Sequence, residues 1–186
     1  ILILGHTPPE YTNMLLDNHL TQTVSCLAKA LEYSAAASAL GGPLKIHIKL
    51  DTGMHRLGFM SGEIDAMLDY VTSCDRIRIK SVYSHLAAAD DPSEDEFTLE
   101  QISMFIRNAD RISERIGYRP LYHILNSAGI ERFSQYQFDM VRLGIGIYGV
   151  SSVPQTKLAP VASFKCKVLQ VKELGPQDGT VGYGRH

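Results

Sequence analysis

Short apolar runs alternate with longer amphipathic ones along most of this chain, and that alternation restricts the available folds more than any other feature. Strand-length runs occur at Ile1–Leu4, Thr23–Cys26, Lys45–Leu50, Ile77–His85, Tyr122–Asn126 and Met140–Ile145. Between them lie helical patterns. Thr7-Pro8-Pro9-Glu10 reads as a capping box before Tyr11, Met14 and Leu15, and an alanine-rich helix over Leu27–Leu40 ends at Gly41-Gly42-Pro43. Ile64, Met67, Leu68 and Val71 mark a helix over Glu63–Ser73. Ser93-Glu94-Asp95-Glu96 reads as a second capping box. It opens the longest helix, whose stripe is Ile102, Phe105, Ile106, Ala109, Ile112 and Ile116 and whose stop is Gly117. Strands alternating with helices predict βα units around a parallel sheet. Six strands fit the last six βα units of a partial (β/α)8 TIM barrel. A flavodoxin-like open sheet fits most of the same pattern, and periodicity alone does not separate the two.

After Tyr148 the pattern changes. Ser151–Pro160 reads as a linker, Ser163–Leu174 alternates like an antiparallel strand, and Gly175-Pro176-Gln177-Asp178-Gly179 reads as a turn. The expected organisation is a partial barrel over residues 1–150 and the start of a truncated C-terminal β-domain over 160–186. The chain opens on Ile1 and closes on glycine-rich Gly182–His186, so both ends read as cut from a longer protein. A net charge of −2 provides no global positive field for nucleic acid or an anionic membrane, and 45% hydrophobic residues exclude disorder. No apolar run approaches the roughly 20 residues of a spanning helix, and no signal peptide is evident. Cys26, Cys74 and Cys166 have neither metal-ligand nor redox spacing and read as free thiols of a reducing cytoplasm.

In a barrel, chemistry sits where strands end. Here those ends carry Asp51-Thr52-Gly53-Met54-His55-Arg56, Ser84-His85, Asn126-Ser127-Ala128-Gly129, and Arg142 before Gly144-Ile145-Gly146. The last two loops suit a phosphate, with a hydroxyl from Ser127 and close backbone approach at Gly144. Gly144-Ile145-Gly146-Ile147-Tyr148-Gly149 formally matches G-x-G-x-x-G. No helix pattern follows it and the next acid is Glu173, so a dinucleotide fingerprint is rejected. Lys45, His47 and Lys49 share one face of their strand. Lys45 and His47 read as an exposed or hydrogen-bonded face, while Lys49, nearest the active end, would need a carboxylate partner or a lowered pKa.

These residues carry a resemblance. Lys49-Leu50-Asp51-Thr52-Gly53-Met54-His55-Arg56-Leu57-Gly58-Phe59 closely resembles the K-x-D-T-G-M-x-R-L-G-F signature of alanine racemases. Ser84–Asp90, Asn126–Gly129 and Asp139–Ile145 resemble further motifs of that family in order and spacing, and Val181-Gly182-Tyr183-Gly184-Arg185 resembles its early β-domain motif. His55 stands where many members have glycine, and Leu143 where many have proline.

The resemblance implies a pyridoxal 5'-phosphate enzyme that interconverts L- and D-alanine for peptidoglycan, built as a homodimer with shared active sites. It implies that Arg142 donates to the cofactor's pyridine nitrogen and that His85 hydrogen-bonds this arginine. Ser127, Gly144 and Ile145, with Asn126 beside them, match the phosphate region. Arg56 matches the residue for the substrate carboxylate and the phenolic oxygen, and Lys49 matches a lysine carbamylated in several members. The two catalytic bases, a lysine and a partner-subunit tyrosine, match nothing in this sequence. The segment alone is therefore expected to be inactive and, with open sheet edges, to fold poorly by itself. Two other readings accompany this one: a serine/alanine racemase of the glycopeptide-resistance type, and a barrel that binds the cofactor without turnover. A fusion of the parent to another cell-wall enzyme is a further possibility of the resemblance.

Overall fold

The computed structural model describes residues 1–151, 153 and 156–179. Five strands, β1 (Leu2–Ile3), β2 (Thr21–Val24), β3 (Leu44–Lys49), β4 (Ile77–Tyr83) and β5 (Leu121–His123), form one sheet. All neighbours are parallel and paired in chain order. A doubly wound sheet reverses its strand order at a switch point; this sheet has no reversal and is a parallel half-barrel. Helices α1 (Thr12–Asp17), α2 (Leu27–Ala39), α3 (Ile64–Ser73), α4 (Asp95–Ile116) and α5 (Ser127–Arg132) complete the βα units.

Two apolar faces meet to make the core. Ile46, Ile48, Ile79 and Val82 point from the strands toward α2, α3 and α4, which contribute Tyr33, Met67, Leu68, Ile102, Phe105 and Ile112, all buried. Of the stripe expected on α4, Ile102, Phe105, Ala109 and Ile112 are buried, and Ile106 and Ile116 pack on the edge of the core. Gly117 ends the helix in the left-handed conformation (φ 76°), its N–H donating to the Ser113 carbonyl at 3.0 Å.

The opposite face of the strands carries the polar residues. Pairing places Thr23, His47 and Ser81 side by side, with Lys49 beside Tyr83 and Tyr83 beside His123 one layer closer to the strand ends. The β3–β4 register shifts between Ile46 and His47, leaving Lys80 as the extra residue of β4. That bulge puts Ser81, instead of Lys80, opposite His47. Lys45 is exposed and His47 is buried and hydrogen-bonded, as expected for that strand.

Several local expectations are corrected. Neither capping box forms. Thr7 instead offers its carbonyl to the Tyr33 hydroxyl at 2.5 Å, and a single 3-10 turn over Pro9–Tyr11 precedes α1. Only Leu15 of its stripe is buried, while Tyr11 and Met14 are exposed. Ahead of α4, Pro92 starts a 3-10 turn, so the residue before the proline is the cap. Asp91 accepts there from the Ser93 N–H at 2.9 Å and the Ser93 hydroxyl at 2.7 Å.

Met140–Ile145 is not a strand. The N–H groups of Asp139 and Arg142 reach the Tyr122 and Leu125 carbonyls at 3.2 and 3.0 Å, but no ladder forms. Phe138 at φ 50° breaks the extended run before it begins, and a 3-10 turn over Ile145–Tyr148 ends it. Ser163–Leu174 forms no strand with any described residue and is largely solvent-exposed, so its alternation has no partner ladder here. The turn at Gly175–Gly179 is present, with the Asp178 N–H on the Gly175 carbonyl at 3.1 Å. The Val181–Arg185 motif lies outside the described residues. Among the described residues, no helix is long and apolar enough to cross a membrane.

Candidate active site

The strand ends open into a cleft of about 520 Å³, within the usual range for a small-molecule site. Lys49, Arg56, His85, Asn126, Ser127, Arg142, Gly144 and Ile145, every site residue expected from sequence, line it together with Tyr83 and Asp90.

Each is placed by a local device. The loop from Asp51 to Gly58 is closed by backbone bonds from Asp51 to Phe59 (2.9 Å) and from Phe59 to Lys49 (2.8 Å). The buried Asp51 carboxylate folds it further by accepting from the Gly53 and His55 N–H groups at 3.0 and 3.1 Å. His55 adopts φ 52°, in the left-handed region that glycine enters at least cost. Gly58, at φ 128°, has no room for a side chain: a Cβ would lie 2.6 Å from Leu50 and Asp51 backbone atoms. Arg56 is presented at the cleft by this loop.

Ser127 stands at the start of α5, which Asn126 caps by accepting from the Gly129 N–H at 3.0 Å. The Asn126 amide also donates to the Leu86 carbonyl at 3.2 Å, tying α5 to the segment that carries His85. The Ser127 oxygen accepts from the Gly144 and Gly146 N–H groups at 3.0 and 3.1 Å, so its own proton remains available to a ligand oxygen.

Arg142 is the most thoroughly fixed group. It donates to the His123 Nδ1 at 2.5 Å and to the carbonyls of Ser84 (2.6 Å), Ile124 (3.0 Å) and His123 (3.3 Å). The expected contact with the His85 Nδ1 is present at 3.3 Å. Its guanidinium also lies 5.1 Å from the Tyr83 ring centroid, and that ring stacks on His123 at 4.9 Å.

The charge balance is one-sided. Among the described residues, Lys49, Arg56 and Arg142 form no salt bridge. Burial, then the charges of Arg142 and Arg56, pull the Lys49 ammonium down to about 8 against the opposing effect of Asp51. Burial lowers Arg142 to about 10, still far above neutral pH, so it keeps all its protons. Burial, then Arg142, Lys49 and Arg56, push His85 down to about 4, so it is a neutral imidazole. Three cations against a single lining carboxylate, Asp90, together with the free Ser127 proton, make a receptor for an anionic ligand.

The profile of the family described as alanine racemase, N-terminal domain, matches residues 1–152. The chain belongs to that family. It is 36% identical over 191 residues to the alanine racemase of Desulfovibrio desulfuricans, covering 99% of this chain and 50% of that protein. The alanine racemase of Clostridium novyi is 36% identical over 193 residues, covering 100% of this chain and 49% of its own length. Among solved structures, the alanine racemase of Clostridium difficile 630 superposes with a TM-score of 0.81 at 30% identity. It covers 99% of this chain and 49% of that one. The chain thus spans about half the length of the curated relatives it matches.

Sequence reasoning missed His123. It is fully buried, makes the shortest side-chain contact to Arg142, and faces the same interior as His47 and Lys49. His123 stands second in the predicted strand Tyr122–Asn126, and so is not among the strand-end residues singled out from the sequence. In the structure β5 runs Leu121–His123, which makes His123 its last residue and brings it up to Arg142.

Proposed function

We propose that this chain forms the cofactor-binding half of a pyridoxal 5'-phosphate-dependent alanine racemase, which interconverts L- and D-alanine. The observation that carries the reading is the convergence of Lys49, Arg56, His85, Ser127 and Arg142 on one cleft beside the Gly144–Ile145 backbone. The residues fit the cofactor's chemistry: a free Ser127 proton for a phosphate oxygen, and a guanidinium held rigidly by neutral acceptors for a ring nitrogen. When bound, the cofactor supplies an electron sink for charge developing at the substrate α-carbon.

The chain's own residues then divide the work. Ser127 with the Gly144 and Ile145 backbone, and Asn126 behind them, hold the phosphate. Arg142 donates to the pyridine nitrogen without giving up its proton, which restrains full delocalisation and limits side reactions. His85 fills the space beside Arg142 as a neutral acceptor, and Arg56 receives the substrate carboxylate and the phenolic oxygen. Lys49 reacts with carbon dioxide to form a carbamate that pairs with Arg56. The two bases that move the α-proton belong to a lysine and a tyrosine outside this sequence. The remaining barrel strands, the C-terminal β-domain, the homodimer, the cytoplasmic location and the supply of D-alanine to peptidoglycan belong to the same proposal.

The test is the full-length protein with added pyridoxal phosphate, assayed for D-alanine from L-alanine. The expected result is approach to equal amounts of the two enantiomers. Cofactor binding with no alanine turnover would overturn the reading in favour of a binding protein, and preferential turnover of serine would replace the substrate.

A further inference from the structure

A line of buried polar groups runs from Arg142 away from the cleft into the half-barrel. Arg142 donates to the His123 Nδ1 at 2.5 Å, the His123 Nε2 lies 3.2 Å from the Ser81 hydroxyl, and that hydroxyl contacts the His47 Nδ1. Ser81, His47 and His123 are all at most 1% exposed.

The direction of every proton in this line follows from its first member. A guanidinium has donors and no acceptor, so the His123 Nδ1 must be unprotonated. A neutral His123 then carries its proton on Nε2 and donates it to Ser81. The Ser81 hydroxyl has a single other partner among the described residues, the His47 Nδ1, and donates there. His47 is left with its proton on Nε2, and that atom is buried without a hydrogen-bond partner.

We propose that Ser81 and His47 are positioning residues for Arg142, acting by fixing His123 as the neutral Nε2–H tautomer whose lone pair faces the guanidinium. The backbone is built for it. The β4 bulge at Lys80 turns Ser81 inward against His47, a position that a regular ladder would give to a lysine. The alternative tautomer of His123 would set an N–H against the guanidinium and leave Arg142 with carbonyls alone on that side. Burial and the adjacent Arg142 hold His123 down to about 3, and burial foremost holds His47 down to about 4, with the Thr21 carbonyl opposing. Both rings therefore stay neutral in the working range, as the relay requires.

The inference rests on the racemase reading for its consequence in catalysis, but its structural half is measured independently. Nitrogen-15 NMR of the histidine-labelled, cofactor-free full-length protein distinguishes the two tautomers directly and needs no variant. The expected result is His123 with Nε2 protonated and Nδ1 bare; the opposite tautomer, or an imidazolium, would overturn the relay. In the Ser81→Ala protein the His123 signals should move toward a mixture of tautomers. In the loaded enzyme kcat should fall about tenfold with KM for alanine little changed. Ser81→Thr, which keeps the hydroxyl, should restore both. An unchanged His123 spectrum in Ser81→Ala, or failure of Ser81→Thr to rescue a well-folded protein, would sink the proposal. An Nε2–H His123 in a protein that does not racemise alanine would leave the relay standing and remove the racemase reading.

Discussion

Lys49 should be a carbon dioxide acceptor. Its side chain is 5% exposed, 5.0 Å from the Tyr83 ring centroid, and among the described residues unpaired with any carboxylate. Only a neutral amine attacks carbon dioxide. An ordinary lysine at 10.5 is neutral in roughly one molecule in three thousand at pH 7, whereas one lowered to about 8 is neutral in roughly one in ten. The environment thus raises the reactive population on the order of 300-fold. Starting from the ammonium, one proton leaves to give the neutral amine and a second leaves as the N–C bond forms and a C=O π bond of carbon dioxide opens, so a cation becomes an anion and the charge that repelled Arg142 and Arg56 becomes one that attracts them. The assay is carbon-13 NMR of the full-length protein in labelled bicarbonate, with Lys49→Arg as the variant that keeps charge but cannot react. A carbamate resonance is expected in the wild type and not in Lys49→Arg. At fixed dissolved carbon dioxide it should weaken as the pH is lowered from 8, following the loss of neutral amine. No resonance at pH 8 in saturating bicarbonate, with native mass spectrometry showing unmodified Lys49, would refute the argument.

Two further outcomes follow from the geometry. Gly58→Ala should destabilise the protein by about 2–4 kcal/mol, because a side chain at φ 128° is strained and its Cβ meets backbone at 2.6 Å. A denaturant midpoint equal to wild type would show that the loop carrying Arg56 is softer than it looks. Acid should destabilise the fold through its buried histidines. His47 and His123, held at about 4 and about 3 against an ordinary 6.5, take up protons in the unfolded chain first. Their stabilising effect is therefore complete above pH 6.5 and is lost as pH falls toward 4, about 2 kcal/mol for each by pH 5. Unfolding free energies at pH 7 and 5 measure this, and a His47→Gln protein with an undiminished pH slope would count against it.

The βα alternation was legible because each element buries one face in a single core, so period and burial coincide on α3 and α4. The site was legible for a related reason. In a parallel half-barrel every strand ends on the same side, so the polar residues after β3, β4 and β5 meet in space without any long-range information in the sequence. Capping was legible only in part. Gly117 acts where it was expected, but Thr7 and Ser93 do not, because a nearby proline starts a 3-10 turn and shifts the cap onto its predecessor. Met140–Ile145 reads as a strand by composition, yet strand character depends on a ladder. The backbone at Phe138 and the turn at Ile145 deny it one. The β4 bulge was not legible at all: one unpaired residue, Lys80, leaves the hydrophobic pattern almost unchanged while deciding which side chain faces His47.

That bulge and the charge imbalance of the cleft belong to one account of the site. A half-barrel stabilised for its own sake would place a carboxylate beside Arg142 or fill the interior with aliphatic side chains, since a buried cation without a counter-ion is destabilising. Here three backbone carbonyls and two neutral imidazoles accept from the two terminal nitrogens of the guanidinium, which leaves its Nε–H for a ligand and its charge unneutralised. Lys49 and Arg56 add to the same field. Neutral acceptors fix a direction without cancelling a charge, so the arrangement keeps both for whatever enters the cleft. An anionic ligand with a ring acceptor and a phosphate uses both at once, and its binding should relieve a repulsion already present in the folded protein.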